Sequence, residues 1–156
     1  MKIKRATTED SQEIFHLTQD TIRAIYKNVY KQYQIDFFSD IHSKEAIEKD
    51  IAKGIVYILL CDNIILATAT LAENHIMRVF VEKSHIGRGY GSKIMDFVER
   101  EVARNYDEIV LESSLVAEQF YIRRGYINVS RDFLEINDGR ILEYNTMKKF
   151  LTAGRK

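Results

Sequence analysis

The chain has no proline, a single cysteine and no net charge across its 156 residues. Without proline, and with no low-complexity tract, nothing marks an interdomain linker, so the length predicts one domain over residues 1–156. A chain of this size buries about 70% of the surface its unfolded form exposes, enough to fold without disulfide staples. Cys61 alone cannot form an internal bridge, which fits a reducing, cytoplasmic setting. Lys and Arg number 23 and are matched by 23 Asp and Glu. That balance argues against nucleic acid as a partner and against a polybasic membrane patch. No apolar run approaches membrane-spanning length, and no apolar segment follows the basic start at Lys2, Lys4 and Arg5. The four histidines and Cys61 show no metal-ligand spacing, so no metal is expected. No Gly-x-Ser-x-Gly elbow occurs.

What is present begins with a glycine-dense turn. Val79, Phe80 and Val81 form a β-like run that leads into Ile86-Gly87-Arg88-Gly89-Tyr90-Gly91-Ser92. Ile94, Met95, Val98 and Val102 then recur at helical spacing. A strand, a glycine loop and a helix start together present bare backbone N–H groups at the positive end of a helix. Glycine lets an anion approach the backbone closely. The segment therefore predicts a phosphate-bearing ligand at the helix start near Gly91. The order is wrong for a P-loop, since no Gly-Lys-Ser/Thr follows, and Ser92 stands where a dinucleotide fingerprint needs its third glycine.

The rest of the chain reads as alternating elements. Lys2 to Arg5 is a strand, and Thr8 opens a helix striped by Ile14, Leu17, Thr21 and Ile25. Tyr26 to Phe38 is rich in aromatic residues and predicts a short helix or loop. Ser43 caps a helix that Gly54 ends. Ile55–Cys61 and Ile64–Thr70 are strands joined at Asp62-Asn63, and His75–Glu82 continues the meander. After the glycine loop and a helix to about Arg104 come a strand from Asp107 to Ser113 and a helix from Ser114 to Arg124. Two long strands close the chain, Tyr126–Ile136 and Arg140–Lys149, with a hairpin at Asn137-Asp138-Gly139. The fold class is α/β of the α+β type, a mixed sheet with helices.

Two motifs in this order, Ile86-Gly87-Arg88-Gly89-Tyr90-Gly91 and Ala117-Glu118-Gln119-Phe120-Tyr121-Ile122-Arg123-Arg124-Gly125-Tyr126, resemble those of the GCN5-related N-acetyltransferase (GNAT) superfamily. The resemblance covers nearly the whole chain in element order. It implies a mostly antiparallel, twisted sheet of about seven strands, flanked by about four helices and splayed where acyl-CoA binds. It implies acetyl transfer from acetyl-CoA directly to an amine of a small molecule or protein. Val79, Phe80 and Val81 would pair with the pantetheine arm, and the amides from Ile86 to Ser92, through Gly87, Arg88, Gly89, Tyr90 and Gly91, would hold the pyrophosphate. The family loop usually opens with Gln or Arg where this chain has Ile86, which leaves backbone donation intact. Ser114 stands where Asn is common and can still donate to the CoA arm. Tyr121 would protonate the departing thiolate, although a core aromatic on an amphipathic helix is its plainer meaning.

The attacking amine must lose a proton, which calls for a base. Counting back from Gly89, the strand position that carries a glutamate in several family members is His75. Its ordinary pKa of about 6.5 suits a base near neutrality, although a strand-end histidine can simply face solvent. Glu73, Glu112 and Glu143 are weaker candidates. In the family the first two helices wall the acceptor site. Tyr26 and Tyr30 would then touch the amine substrate, although core packing is the plainer meaning of their helical spacing. Asp36 would attract a cationic amine. The two long terminal strands could pair across a homodimer. The same loop would also serve a non-catalytic acyl-CoA sensor, or an enzyme acting on another phosphorylated ligand.

Overall fold

A computed structural model describes residues 1–151; the last five residues of the expected domain lie outside the described residues. Seven strands form one sheet. In chain order they are β1 (Lys2–Arg5), β2 (Val56–Cys61), β3 (Ile64–Ala72), β4 (His75–Val81), β5 (Glu108–Ser113), β6 (Ile127–Glu135) and β7 (Ile141–Phe150). Four helices of at least nine residues accompany them: α1 (Ser11–Ile25), α2 (Gln32–Ile41), α3 (Lys44–Ala52) and α4 (Tyr90–Ala103). A six-residue α5 (Glu118–Arg123) follows β5. The sheet order is β1-β2-β3-β4-β5-β7-β6. Every pairing is antiparallel except β4 with β5.

Period-two alternation divides β2 between two cores. Val56 and Ile58 pack with Ile14, Ile22 and Ile47 from α1 and α3. Tyr57 and Leu59 pack with Ile94, Met95 and Val98 from α4. Each helix thus buries one apolar stripe against one face of the sheet. Among the described residues no helix is long and apolar enough to cross a membrane.

The aromatic stretch holds the short helix expected of it: a 3-10 turn at Tyr26–Asn28 leads into α2, so its rings do not lie along one continuous helix. One element differs from the sequence reading. The helix expected from Ser114 is shorter: residues 115–117 are turn, and α5 begins at Glu118. The hairpin at Asp62-Asn63 is as expected, with both residues in the left-handed region at φ 51° and 63°.

Two irregularities in β4 create the site. Thr68 pairs with Phe80 and Thr70 with Met77, so Ala69 alone opposes both Arg78 and Val79. This is a β-bulge, and Arg78 sits in it at φ +48°, a conformation that costs a non-glycine residue on the order of 1–3 kcal/mol. Beyond the bulge β4 leaves its other neighbour. Its only register pair with β5 is His75 with Val110. The sheet therefore splits along the far half of β4.

Candidate active site

The split opens into two clefts that meet. The first, about 410 Å³, lies between the end of β4, the glycine loop, the start of α4 and α5. Val79, Phe80, Val81, Ile86, Gly87 and Gly89 line it on one side. Gly91, Ser92, Ser114, Phe120 and Tyr121 line it on the other. Gly87 and Gly89 adopt φ +84° and +88°, which only glycine takes without strain. Gly89 caps α4, whose ladder starts with the Lys93 N–H donating to the Gly89 carbonyl at 3.1 Å. The amides of Tyr90, Gly91 and Ser92 are therefore first-turn donors without helical partners.

Gly91 is required for another reason. A Cβ there would stand 3.3 Å from Val81 Cγ2 and 3.4 Å from the Phe120 ring. The start of α4 thus packs tightly against the Val81 and Phe120 side chains. Thr21 Oγ1 donates to the Val81 carbonyl at 2.9 Å and pins α1 to the same strand end.

Two loop residues do not line this cleft. The Arg88 side chain is exposed. The Tyr90 ring packs edge-on against His85, centroids 5.9 Å apart. Only the Tyr90 backbone N–H is positioned for the role expected of it.

The second cleft, about 420 Å³, lies on the other side of β4, towards α2 and the β6–β7 hairpin. Tyr26, Val79, Phe80, Ser114, Ala117 and Tyr121 border both clefts. Those six residues mark where something held in one could react with something held in the other. Tyr121 is 6% exposed, and burial pushes its phenol well above the ordinary tyrosine range. It stays protonated, so its O–H is available to donate. Tyr26 lies near it and is pushed up to about 12 by burial, with the neighbouring Ser114 hydroxyl acting in the opposite direction.

His75 and Glu112 both line the second cleft, with His75 Nε2 and Glu112 Oε2 2.6 Å apart. The hydrogen bond to Glu112 raises the His75 pKa above its ordinary value, against a smaller opposing effect of burial. The parallel pairing of β4 and β5 puts the two side chains side by side. Glu73 is exposed in the β3–β4 turn, and Glu143 pairs with Arg131 at 3.6 Å.

Two acceptor-site expectations need correction. Tyr30 borders neither cleft. Its buried hydroxyl accepts the Leu115 N–H at 2.6 Å, which makes it a brace for the turn before α5. Asp36 is on the exposed side of α2, bonded to Gln32 Nε2 at 2.9 Å. It also borders neither cleft.

The sequence reading missed Arg78 and His42. Arg78 donates to Asp50 at 2.7 Å and to His42 Nδ1 at 3.2 Å. Burial first, and the Arg78 charge second, push His42 down to about 3, so its ring is neutral. An arginine interrupting an apolar strand run was the available signal for the bulge.

The family model for the acetyltransferase (GNAT) domain matches residues 26–143. The chain belongs to the GNAT acetyltransferase family. Its fold matches that of a GCN5-related N-acetyltransferase from Rhodopseudomonas palustris, with a TM-score of 0.88 at 22% identity over 96% of this chain and 95% of that one. It also matches the PaiA N-acetyltransferase of Thermoplasma acidophilum, solved in complex with coenzyme A, with a TM-score of 0.72 at 14% identity over 96% and 98%. A third match is an N-acetyltransferase from Staphylococcus aureus Mu50, with a TM-score of 0.71 at 18% identity over 96% of each chain. At these identities the solved structures establish the fold of this GNAT domain and nothing finer. No curated protein sequence matches the chain.

Proposed function

We propose that the protein is an N-acetyltransferase that moves an acetyl group from acetyl-CoA directly to a primary amine in a ternary complex. The observation that carries this reading is the meeting of two clefts at Tyr121, one ending on α4's first-turn amides and the other holding a His–Glu pair.

The first cleft suits coenzyme A. The amides of Tyr90, Gly91 and Ser92, with the positive end of α4, suit a diphosphate. The unpaired edge of β4 from Val79 to Val81 suits the amide-bearing pantetheine arm, which would lie along it like an added strand. Acetyl-CoA supplies a thioester activated for attack. Tyr121 donates a hydrogen bond to the leaving sulfur as the C–S bond breaks. His75, oriented by Glu112, takes the proton that the amine sheds as the C–N bond forms. Each of these steps uses a side chain or backbone amide of the chain itself and calls on no metal.

The test is release of free thiol from acetyl-CoA by the purified protein with a panel of primary amines, compared with hydrolysis alone. Amine-dependent release supports the transferase. Tight CoA binding with no release on any amine would favour a sensor. Gly91→Leu gives an independent check. Its side chain must occupy the space between Val81 and Phe120, so CoA affinity measured by calorimetry should fall roughly 10- to 100-fold, a loss of about 1.4–2.8 kcal/mol, because the cleft is filled while the backbone donors remain. Helix propensity favours the change by about 1 kcal/mol, but crowding against Val81 and Phe120 costs about 1–3 kcal/mol, so the melting temperature is measured alongside and the affinity is compared at a temperature where the variant is folded.

The role of His75 has a pH signature. A raised pKa means that the ring is protonated, and useless as a base, up to a higher pH than usual. The rate should therefore rise with pH through a limb lying above about 6.5. Glu112→Gln removes the main cause of the shift, so the limb should move to lower pH. An unmoved limb would place the base elsewhere.

A further inference from the structure

Given the transferase reading, on which this inference rests, the second cleft also narrows the class of amine. Its walls are apolar on both sides. Phe37, Phe38 and Ile41 come from α2, and Leu134, Leu142 and Tyr144 from β6 and β7. Its charges are almost all cancelled. Arg78 is matched by Asp50 at 2.7 Å and His42 is held neutral beside it. Glu112 is the one carboxylate among the described lining residues, and it already shares a proton site with His75.

A cleft of this kind can neutralise one ammonium group. A second ammonium would lie against phenyl and leucyl side chains with no counter-charge, and burying an unpaired charge is costly. The carboxylate of a free amino acid would have to displace Asp50 from Arg78. We infer that the acceptor is a primary monoamine carried on an aromatic or branched aliphatic body, its nitrogen drawn towards Glu112 and its body packed between α2 and the β6–β7 hairpin. Polyamines, aminoglycosides and lysine-rich peptides fit the cleft poorly.

Ile41 and Leu134 give a clean test, because they are 43% and 41% exposed and contribute little to the core. Thiol release from acetyl-CoA would be compared for 2-phenylethylamine, spermidine, kanamycin and lysine amide. Calorimetry of 2-phenylethylamine and of spermidine, with and without CoA, would read occupancy of the cleft apart from turnover. The expected result is a kcat/KM for 2-phenylethylamine at least ~10-fold above the other three, a difference that apolar pockets readily generate. Ile41→Glu and Leu134→Glu should each lower that value about tenfold and narrow the gap to spermidine, because they add the counter-charge the cleft lacks.

A preference for spermidine, kanamycin or lysine amide would overturn the inference and leave the transferase intact. Failure of 2-phenylethylamine to bind would overturn it as well. If 2-phenylethylamine binds, weakens with both variants and yet releases no thiol, the cleft assignment holds and the transferase reading falls.

Discussion

Tyr121→Phe should lower kcat about 10- to 100-fold while leaving the affinity for CoA within about twofold and the melting temperature unchanged. The magnitude comes from what the hydroxyl can do. An ordinary thiol has a pKa of about 8.5 and an ordinary phenol about 10, so complete transfer of the Tyr121 proton to a thiolate is uphill. Burial raises Tyr121 further. The leaving sulfur would be desolvated in the same cleft, which raises its proton affinity too and brings the two groups together. The contribution is then a hydrogen bond to a developing charge, worth about 1.5–3 kcal/mol, and each 1.4 kcal/mol is a factor of ten. The rest of the ring is untouched, so its packing against Phe120 and Tyr126 persists in the variant. Steady-state kinetics at saturating amine, with calorimetry of CoA, separates the two effects. An unchanged kcat would remove Tyr121 from the chemistry and leave it a core aromatic.

The parts of the site that were legible in the sequence are those encoded locally. Gly87 and Gly89 announced positive φ, and the stripe of Ile94, Met95, Val98 and Val102 announced the buried face of α4. Both signals depend on residues a few positions apart. The acceptor cleft is assembled differently. Its walls come from α2 and from a hairpin about a hundred residues later, as the bond from Gln34 Nε2 to the Ile141 carbonyl at 3.1 Å shows. No local pattern reports such a meeting. Tyr30 misled for a related reason. Its spacing from Tyr26 looked helical, but the chain turns between Tyr26 and Asn28 before α2 begins, so the ring joins the core and braces Leu115. Arg78 was the opposite case. It broke an apolar strand pattern, and that break marked the bulge from which the split sheet opens. Sequence reasoning goes wrong here where a functional site departs from regular structure.

The largest effect on stability is expected away from both clefts, at Glu99. This residue occupies a core position on α4, in register with Met95, Val98 and Val102, and its side chain is 11% exposed. Its carboxylate accepts from Arg124 Nη2 at 2.9 Å, from the Tyr126 hydroxyl at 2.9 Å and from Lys149 Nζ at 3.1 Å. Three side chains, two from the α5–β6 connection and one from β7, thus converge on one buried charge. Removing one partner of such a set leaves the others desolvated and unmatched, a loss of about 3–5 kcal/mol. Glu99→Ala should sit near the lower end, because Arg124 keeps Asp96 at 2.6 Å. With about 2–4 °C lost per kcal/mol in a domain of this size, the melting temperature should drop by roughly 6–12 °C. Tyr126→Phe alone should cost less, and added to Glu99→Ala it should cost almost nothing more, since the hydroxyl has by then lost its acceptor. Full additivity in that cycle would show that the two groups are not coupled. The same network reaches the site, because Arg124 Nη1 also donates to the Ser92 carbonyl at 3.4 Å. That bond ties the first turn of α4 to the segment carrying Tyr121, so Glu99→Ala should weaken CoA binding although Glu99 touches neither cleft.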